Sequence, residues 1–226
     1  GNTITVDSNG NVYIAGIFRG TADFDPGPGS APLTSLGGHD VFILKLDQNG
    51  DFLWVRQIGG ASLSGDGVST IKLDGTGNVC TYGYFNGTVD FNPGAPIFNL
   101  NSAGQTDLFI SKLDNDGNFV SALKFGGTNF DLPGQMAIDA MNEIYCTGYF
   151  RGTSDFDPGP GNFNLNSAGG DDIFIVKLDA ASNFSWANRF GGTGDDGGTA
   201  VMKDASGNIL LSGYFENTID LDPGVG

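Results

Sequence analysis

Apolar and polar positions alternate over short distances along the whole chain, and nowhere do the apolar positions follow a helical period. Residues 68–125 show the pattern in full. "VSTIKL" at 68–73, "NVCTYGYF" at 78–85, "DLFISKL" at 107–113 and "NFVSALKF" at 118–125 are rich in β-branched and aromatic residues, and Gly, Asn or Asp bounds each run. Such runs predict four β-strands. "DGTGN" joins the first pair and "LDNDGNF" the last, and Asp, Asn and Gly there supply tight-turn chemistry, so the strands form an antiparallel meander. "DSNGN", "DASGN" and "LDQNGDF" mark the same turns elsewhere. "DAMNE" and "DAASN" break the glycine pattern and are expected to differ in geometry from their siblings.

The meander repeats. "DFDPGPG" at residue 23 returns as "DFNPGAP" at 90, "DFDPGPG" at 155 and "DLDPGVG" at 220, in steps of 67, 65 and 65 residues. "GIF" and "GYF" recur from Gly16, Gly83, Gly148 and Gly213, "FILKLD", "FISKLD" and "FIVKLD" from Phe42, Phe109 and Phe174, and "QIGG", "KFGG" and "RFGG" close the repeats. Four strands alone cannot bury two apolar faces, so the units must stack, and radial stacking makes each unit a blade of a β-propeller. The expected fold is all-β: tandem propeller-like blades at about 1–60, 61–127 and 128–192, and half of a fourth at 193–226.

"DSNGNVYIAG", "GGHDVFILKLD" and "FGGTGDDGGTAV" carry a resemblance to the bacterial seven-bladed (SBBP-type) β-propeller repeat family, over essentially the whole chain. The resemblance implies secreted or surface-exposed bacterial proteins with tandem blades and no common catalytic activity. The chain departs from the pattern in holding three and a half blades rather than seven, and it reads as part of a longer polypeptide.

Composition narrows the partners. The formal charge is −16, and 24 Asp stand against two Glu, a bias toward turns, caps and hard-cation sites rather than a solvated helical surface. Ten scattered Lys and Arg cannot form the clusters that nucleic acid or an anionic membrane requires, and no run of 18 apolar residues is present. Cys80 and Cys146 lie one step out of phase in corresponding strands without metal-ligand spacing; they read as buried free thiols, with a disulfide as the alternative.

The acidic loop is the main candidate for chemistry. It lies in a long connection between the second and third strands, and each full copy has another Asp seventeen positions after its first. Calcium takes six to eight oxygens, and paired acids followed by carbonyl-exposing Pro and Gly suit it. The expected sites, about one per complete blade, are Asp23, Asp25 and Asp40; Asp90, Asn92 and Asp107; Asp155, Asp157 and Asp172; and an incomplete set, Asp220 and Asp222. The alternative is that these acids only cap turns by accepting backbone N–H bonds.

A second acidic column, Asp66, Asp131 and Asp196, reads more as an inter-blade turn than a metal site. Lys45, Lys112 and Lys177 read as partners of nearby acids or cover for apolar surface. Tyr84, Tyr149 and Tyr214 recur by blade, which points to core packing. His39 is the single histidine and has no nucleophile motif beside it, so no catalytic triad is supported. The expectation is a non-enzymatic, extracellular or cell-surface structural protein stiffened by calcium, self-associating as a fibre or adhesin or binding other surface proteins. The alternative is a calcium-dependent carbohydrate-binding module. Partners exclude nucleic acid and membrane insertion.

Overall fold

The protein is described from a computed structural model, and the description covers residues 1–222. Every regular element among them is a β-strand. The first blade comprises β1 (Thr3–Val6) and β2 (Val12–Phe18), a small hairpin of β3 (Thr21–Asp23) and β4 (Pro32–Thr34), then β5 (Asp40–Leu46) and β6 (Phe52–Gly60). The second repeats this as β7 (Gly67–Leu73), β8 (Val79–Phe85), β9 (Thr88–Asp90), β10 (Asn99–Asn101), β11 (Asp107–Leu113) and β12 (Phe119–Gly127). In the third the hairpin fuses with its neighbours, leaving β13 (Asp131–Ile138), β14 (Ile144–Asp155), β15 (Asn164–Leu178) and β16 (Phe184–Gly192). The half-blade holds β17 (Gly197–Lys203), β18 (Ile209–Tyr214) and β19 (Ile219–Asp220).

In the first blade the sheet order is β1-β2-β5-β6, and the registers are antiparallel throughout, with Val12 opposite both Val6 and Leu46. The all-β, propeller-like meander expected from the pattern is the observed architecture, and the strands of the second blade fall within two residues of the predicted runs. The long connection is the departure: it folds into a hairpin of its own.

The chain divides into two compact units, residues 1–102 with 109–123, and residues 103–108 with the chain from 124 onward. In the first unit β7 packs against β1 and β2, so that Tyr13, Val41, Ile43 and Trp54 share a core with Val68, Ile71, Val79 and Phe85. In the second, β17 packs against β13, β14 and β15, and Tyr145, Ile175 and Val201 form a buried cluster backed by Trp186 and Leu211. Burying apolar faces between successive sheets is the contact that a lone four-stranded meander lacks.

The glycine-free turns correct one expectation. Asn142 and Ser182 adopt positive φ values of 63° and 66°, the conformation Gly10, Gly50, Gly77, Gly117 and Gly207 supply elsewhere. The turns have the same geometry because the leading Asp fixes it. Asp139 Oδ1 accepts the N–H groups of Met141 and Glu143, as Asp7 Oδ1 accepts those of Asn9 and Asn11. Both cysteines are buried free thiols.

Candidate functional site

The acidic motif builds a clamp. Asp90 Oδ1 accepts the N–H of Asn92 at 3.0 Å and of Phe98 at 2.9 Å, and Asn92 Oδ1 accepts the N–H of Gly94 at 2.9 Å. Asp155 Oδ1 does the same with Asp157 and Phe163 at 3.0 and 2.8 Å, and Asp157 Oδ1 takes Gly159 at 2.8 Å. In the first blade Asp23 Oδ1 holds Asp25 and Ala31, its Oδ2 holds the Ser30 hydroxyl, and Asp25 Oδ1 takes Gly27. These N–H bonds hold the Asp23 carboxyl below the usual carboxylate range. Asp220 Oδ1 begins the same clamp with Asp222 N–H; residues 223–226 of the fourth copy lie outside the described residues.

Phenylalanine anchors each hairpin. Phe91 is fully buried, 5.3 Å from Phe85 and 5.0 Å from Phe109 between ring centroids, and Phe156 sits 5.3 Å from Phe150 and 4.7 Å from Phe174. Phe24 makes the equivalent trio with Phe18 and Phe42. The signal was in the three phenylalanine columns, which meet only once the connection folds back over its own blade.

The hairpins of the second and third blades, and β19 of the half-blade, then reach the last strand of the preceding blade. Asp90 and Val89 pair with Gly59 and Gly60, Asp155 and Ser154 with Gly126 and Gly127, and Asp220 and Ile219 with Gly191 and Gly192. The doubled glycine has two separate causes. A Cβ on Gly60, Gly127 or Gly192 would strike the carbonyl of Thr88, Thr153 or Thr218 in the arriving hairpin, and one on Gly59 or Gly191 would strike the carboxylate of Asp40 or Asp172.

The third-strand acids have different partners from the loop acids with which they were grouped. Asp40, Asp107 and Asp172 are fully buried, and their Oδ2 atoms accept the N–H of Leu36, Ala103 and Ala168 at 2.9, 3.0 and 2.9 Å. The same oxygens take Gln57 Nε2 at 2.6 Å, Lys124 Nζ at 3.2 Å and Arg189 Nη1 at 2.6 Å. The Oδ1 of each has no hydrogen-bond partner. Among the described residues no three or more of His, Cys, Asp and Glu are arranged to hold a metal ion.

Asp40 and Asp107 each have an acidic neighbour in the second column, Asp66 and Asp131. Asp131 on β13 accepts Gly127 N–H of the preceding blade at 2.7 Å and the Ser154 hydroxyl of its own blade at 2.7 Å, a staple between consecutive sheets. Asp196 repeats it with the N–H groups of Gly192 and Glu216 at 2.8 and 2.9 Å, and Asp66 Oδ1 takes Asn86 N–H at 3.2 Å. Burial pushes Asp66 and Asp131 up to about 7, with the charges of Asp40 and Asp107 adding to the rise. Asp107 and Asp131 both crowd Gly126: a Cβ there would lie 3.1 Å from Asp107 Oδ1 and 2.8 Å from Asp131 Oδ2.

Two further columns have clear partners. Lys45 Nζ donates to the Asn115 carbonyl and side-chain oxygen at 3.0 and 2.7 Å beside the Tyr13 ring, Lys112 pairs with Asp74, and Lys177 pairs with Glu143 at 2.7 Å. Tyr84 and Tyr149 are half-buried and Tyr214 is 51% exposed, so this column lies at the rim. Tyr84 and Tyr214 lie over the glycine backbones of Gly67 and Gly197. The core tyrosines are Tyr13, Tyr82 and Tyr145.

The repeating hairpin, its aromatic plug and the glycine pair of the preceding sheet recur with nearly one geometry. No protein-family profile matches the chain. It is similar to an uncharacterized WD repeat-containing protein, L264, of Acanthamoeba polyphaga mimivirus, at 24% identity over 95% of this chain and 18% of that protein. The repeats are of the β-propeller type. The propeller-type repeats are also similar to the regulatory protein FlaEY of Caulobacter vibrioides, at 28% identity over 93% of this chain and 21% of that protein. The chain thus spans about a fifth of the length of these curated relatives.

Proposed function

We propose that the chain is a non-enzymatic structural and interaction scaffold of the cell exterior, built from SBBP-type propeller repeats and self-associating or binding other surface proteins. The observation that carries this reading is the repetition of the polar clusters. The clamped hairpin recurs with the same partners, and its acids accept backbone amides, whereas a catalytic constellation gathers unlike groups once, in one pocket. The relative named for WD repeats supports a binding role of the generic scaffold kind. The exterior setting rests on the resemblance of the repeats.

Sedimentation of the purified chain over a wide concentration range, with calcium and with chelator, tests the reading alongside a glycan array. Concentration-dependent association without sugar preference is the expected result. A monodisperse sample that binds one glycan saturably, and loses it on Asp90→Ala, would overturn it in favour of a carbohydrate-binding module.

A further inference from the structure

The half-blade has an open strand edge, and the three complete blades show what fills the same place. In the first and third blades the second strand pairs antiparallel with the third, with Gly16 opposite Phe42 and Gly148 opposite Phe174. The glycine makes room for the ring: a Cβ on Gly16, Gly83 or Gly148 would lie 2.8, 2.7 or 3.0 Å from the ring of Phe42, Phe109 or Phe174. Gly213 keeps this glycine, but the atoms nearest to it are the backbone of Gly197 and Gly198, and among the described residues β18 pairs with β17 alone. Phe18, Phe85 and Phe150 are buried beside the third-strand ring, whereas Phe215 at their place is 56% exposed. Leu221, at the place of the plugs Phe91 and Phe156, is 66% exposed. A groove of about 450 Å³ lined by Ile173, Phe190, Leu211, Tyr214, Phe215 and Leu221 stands there. The turn leading into β18 repeats the lysine seat of the second blade. Asp74 Oδ2 accepts Asn78 Nδ2 at 3.0 Å and pairs with Lys112 of the third strand at 3.2 Å. Asp204 Oδ2 accepts Asn208 Nδ2 at 2.8 Å, and among the described residues no Lys or Arg forms an ion pair with it.

We propose that the outer edge of β18 binds, in trans, an extended segment of another polypeptide with the third-strand pattern Asp-x-Phe-Ile-x-Lys-Leu, which adds to β17 and β18 as a third antiparallel strand. The pattern is that of residues 40–46, 107–113 and 172–178. In the register of the complete blades its phenylalanine seats over Gly213 beside Phe215 and Leu221, and its lysine lies beside Leu210, next to the turn that carries Asp204. Main-chain pairing supplies affinity in such a contact, and the pockets for alternate side chains supply specificity. The lysine also suits the strongly acidic chain it meets. A second copy of this chain is not the donor, because β5, β11 and β15 each already lie between two strands of their own blade. The assignment names a partner for the scaffold proposed above and rests on that reading.

The test is fluorescence anisotropy of a labelled peptide with the sequence of residues 103–114, AGQTDLFISKLD, titrated with the purified chain. Saturable binding at about one peptide per chain is the expected result. Phe109→Ala in the peptide, and separately Phe215→Ala in the chain, should each weaken it about tenfold or more, as the loss of a buried ring requires. Phe215→Ala should leave the melting temperature of the free chain nearly unchanged, because that side chain is 56% exposed without the peptide, so its effect reads binding and not folding. Lys112→Glu in the peptide should also weaken binding, most at low salt. Absence of binding, or binding indifferent to Phe109→Ala and Phe215→Ala, would overturn the assignment. A peptide-free dimer that blocks the peptide would overturn it as well, by placing a second copy on the edge. Failure of the peptide to bind while the chain still associates in sedimentation would remove this partner and leave the scaffold reading in place.

Discussion

Stability should fall as pH rises through neutrality, and the buried acid column sets the size of the effect. Asp66 and Asp131 are pushed up to about 7 from an ordinary value of 3.8. Between those values the folded chain keeps a proton on each that the unfolded chain has released, so stability is greatest near the lower end of the window and declines toward the upper. One proton is worth about 1.4 kcal/mol per pH unit, so a shift of about three units gives a ceiling of about 4 kcal/mol for each carboxyl. The turn and clamp acids Asp7, Asp23, Asp47, Asp114, Asp139, Asp179 and Asp204 are shifted below the ordinary value and act oppositely: their contribution is lost only as pH falls through and below it. Maximum stability is therefore expected at about pH 4–6.

Urea unfolding in chelator at pH 5, 6, 7 and 8 measures the slope. Asp131→Asn keeps the volume and removes one titrating group, one that faces Asp107 and Asp171 and binds Gly127 and Ser154. It should flatten the decline by about one proton. A wild-type curve that is level or rising from pH 5 to 7, or an unchanged slope in Asp131→Asn, would refute the assignment of the shift to this column.

Phe156→Ala removes the fully buried plug of the third hairpin and should cost about 3–5 kcal/mol in urea unfolding. Asp155→Ala removes the oxygen that accepts two backbone N–H groups, those of Asp157 and Phe163, in the same hairpin. It should cost about 1–2 kcal/mol and speed proteolytic cutting within residues 156–163, read by mass spectrometry. Ser182→Gly relieves a positive φ of 66° and should raise stability by up to about 1 kcal/mol in the same assay, after the entropy glycine loses on folding.

The strands and turns were legible because their signal is local. Period-two alternation and Asp-led turns specify β8 or β11 within the residues themselves, and the seventeen-residue offset from Asp90 to Asp107 marked the connection as one module. Asp40, Asp107 and Asp172 were grouped by spacing with the loop acids, yet residues on successive elements meet only as the sheets are arranged. Their hydrogen bonds go to Gln57, Lys124 and Arg189 on the neighbouring strand. The glycine-free turns were expected to differ, and the Asp clamp overrode the missing glycine.

By itself, then, the sequence determined an all-β chain of repeated four-stranded meanders and a strong acidic bias, since alternation, turn residues and charge are properties of neighbours along the chain. Only the tertiary structure decided that the acidic loop is a hairpin plugged by phenylalanine and paired to the glycines of the preceding sheet. It alone decided also that the second acid column is buried, with Asp66 beside Asp40 and Asp131 beside Asp107. Burial and desolvation depend on which distant backbones approach one another, and no spacing along a single strand records that approach.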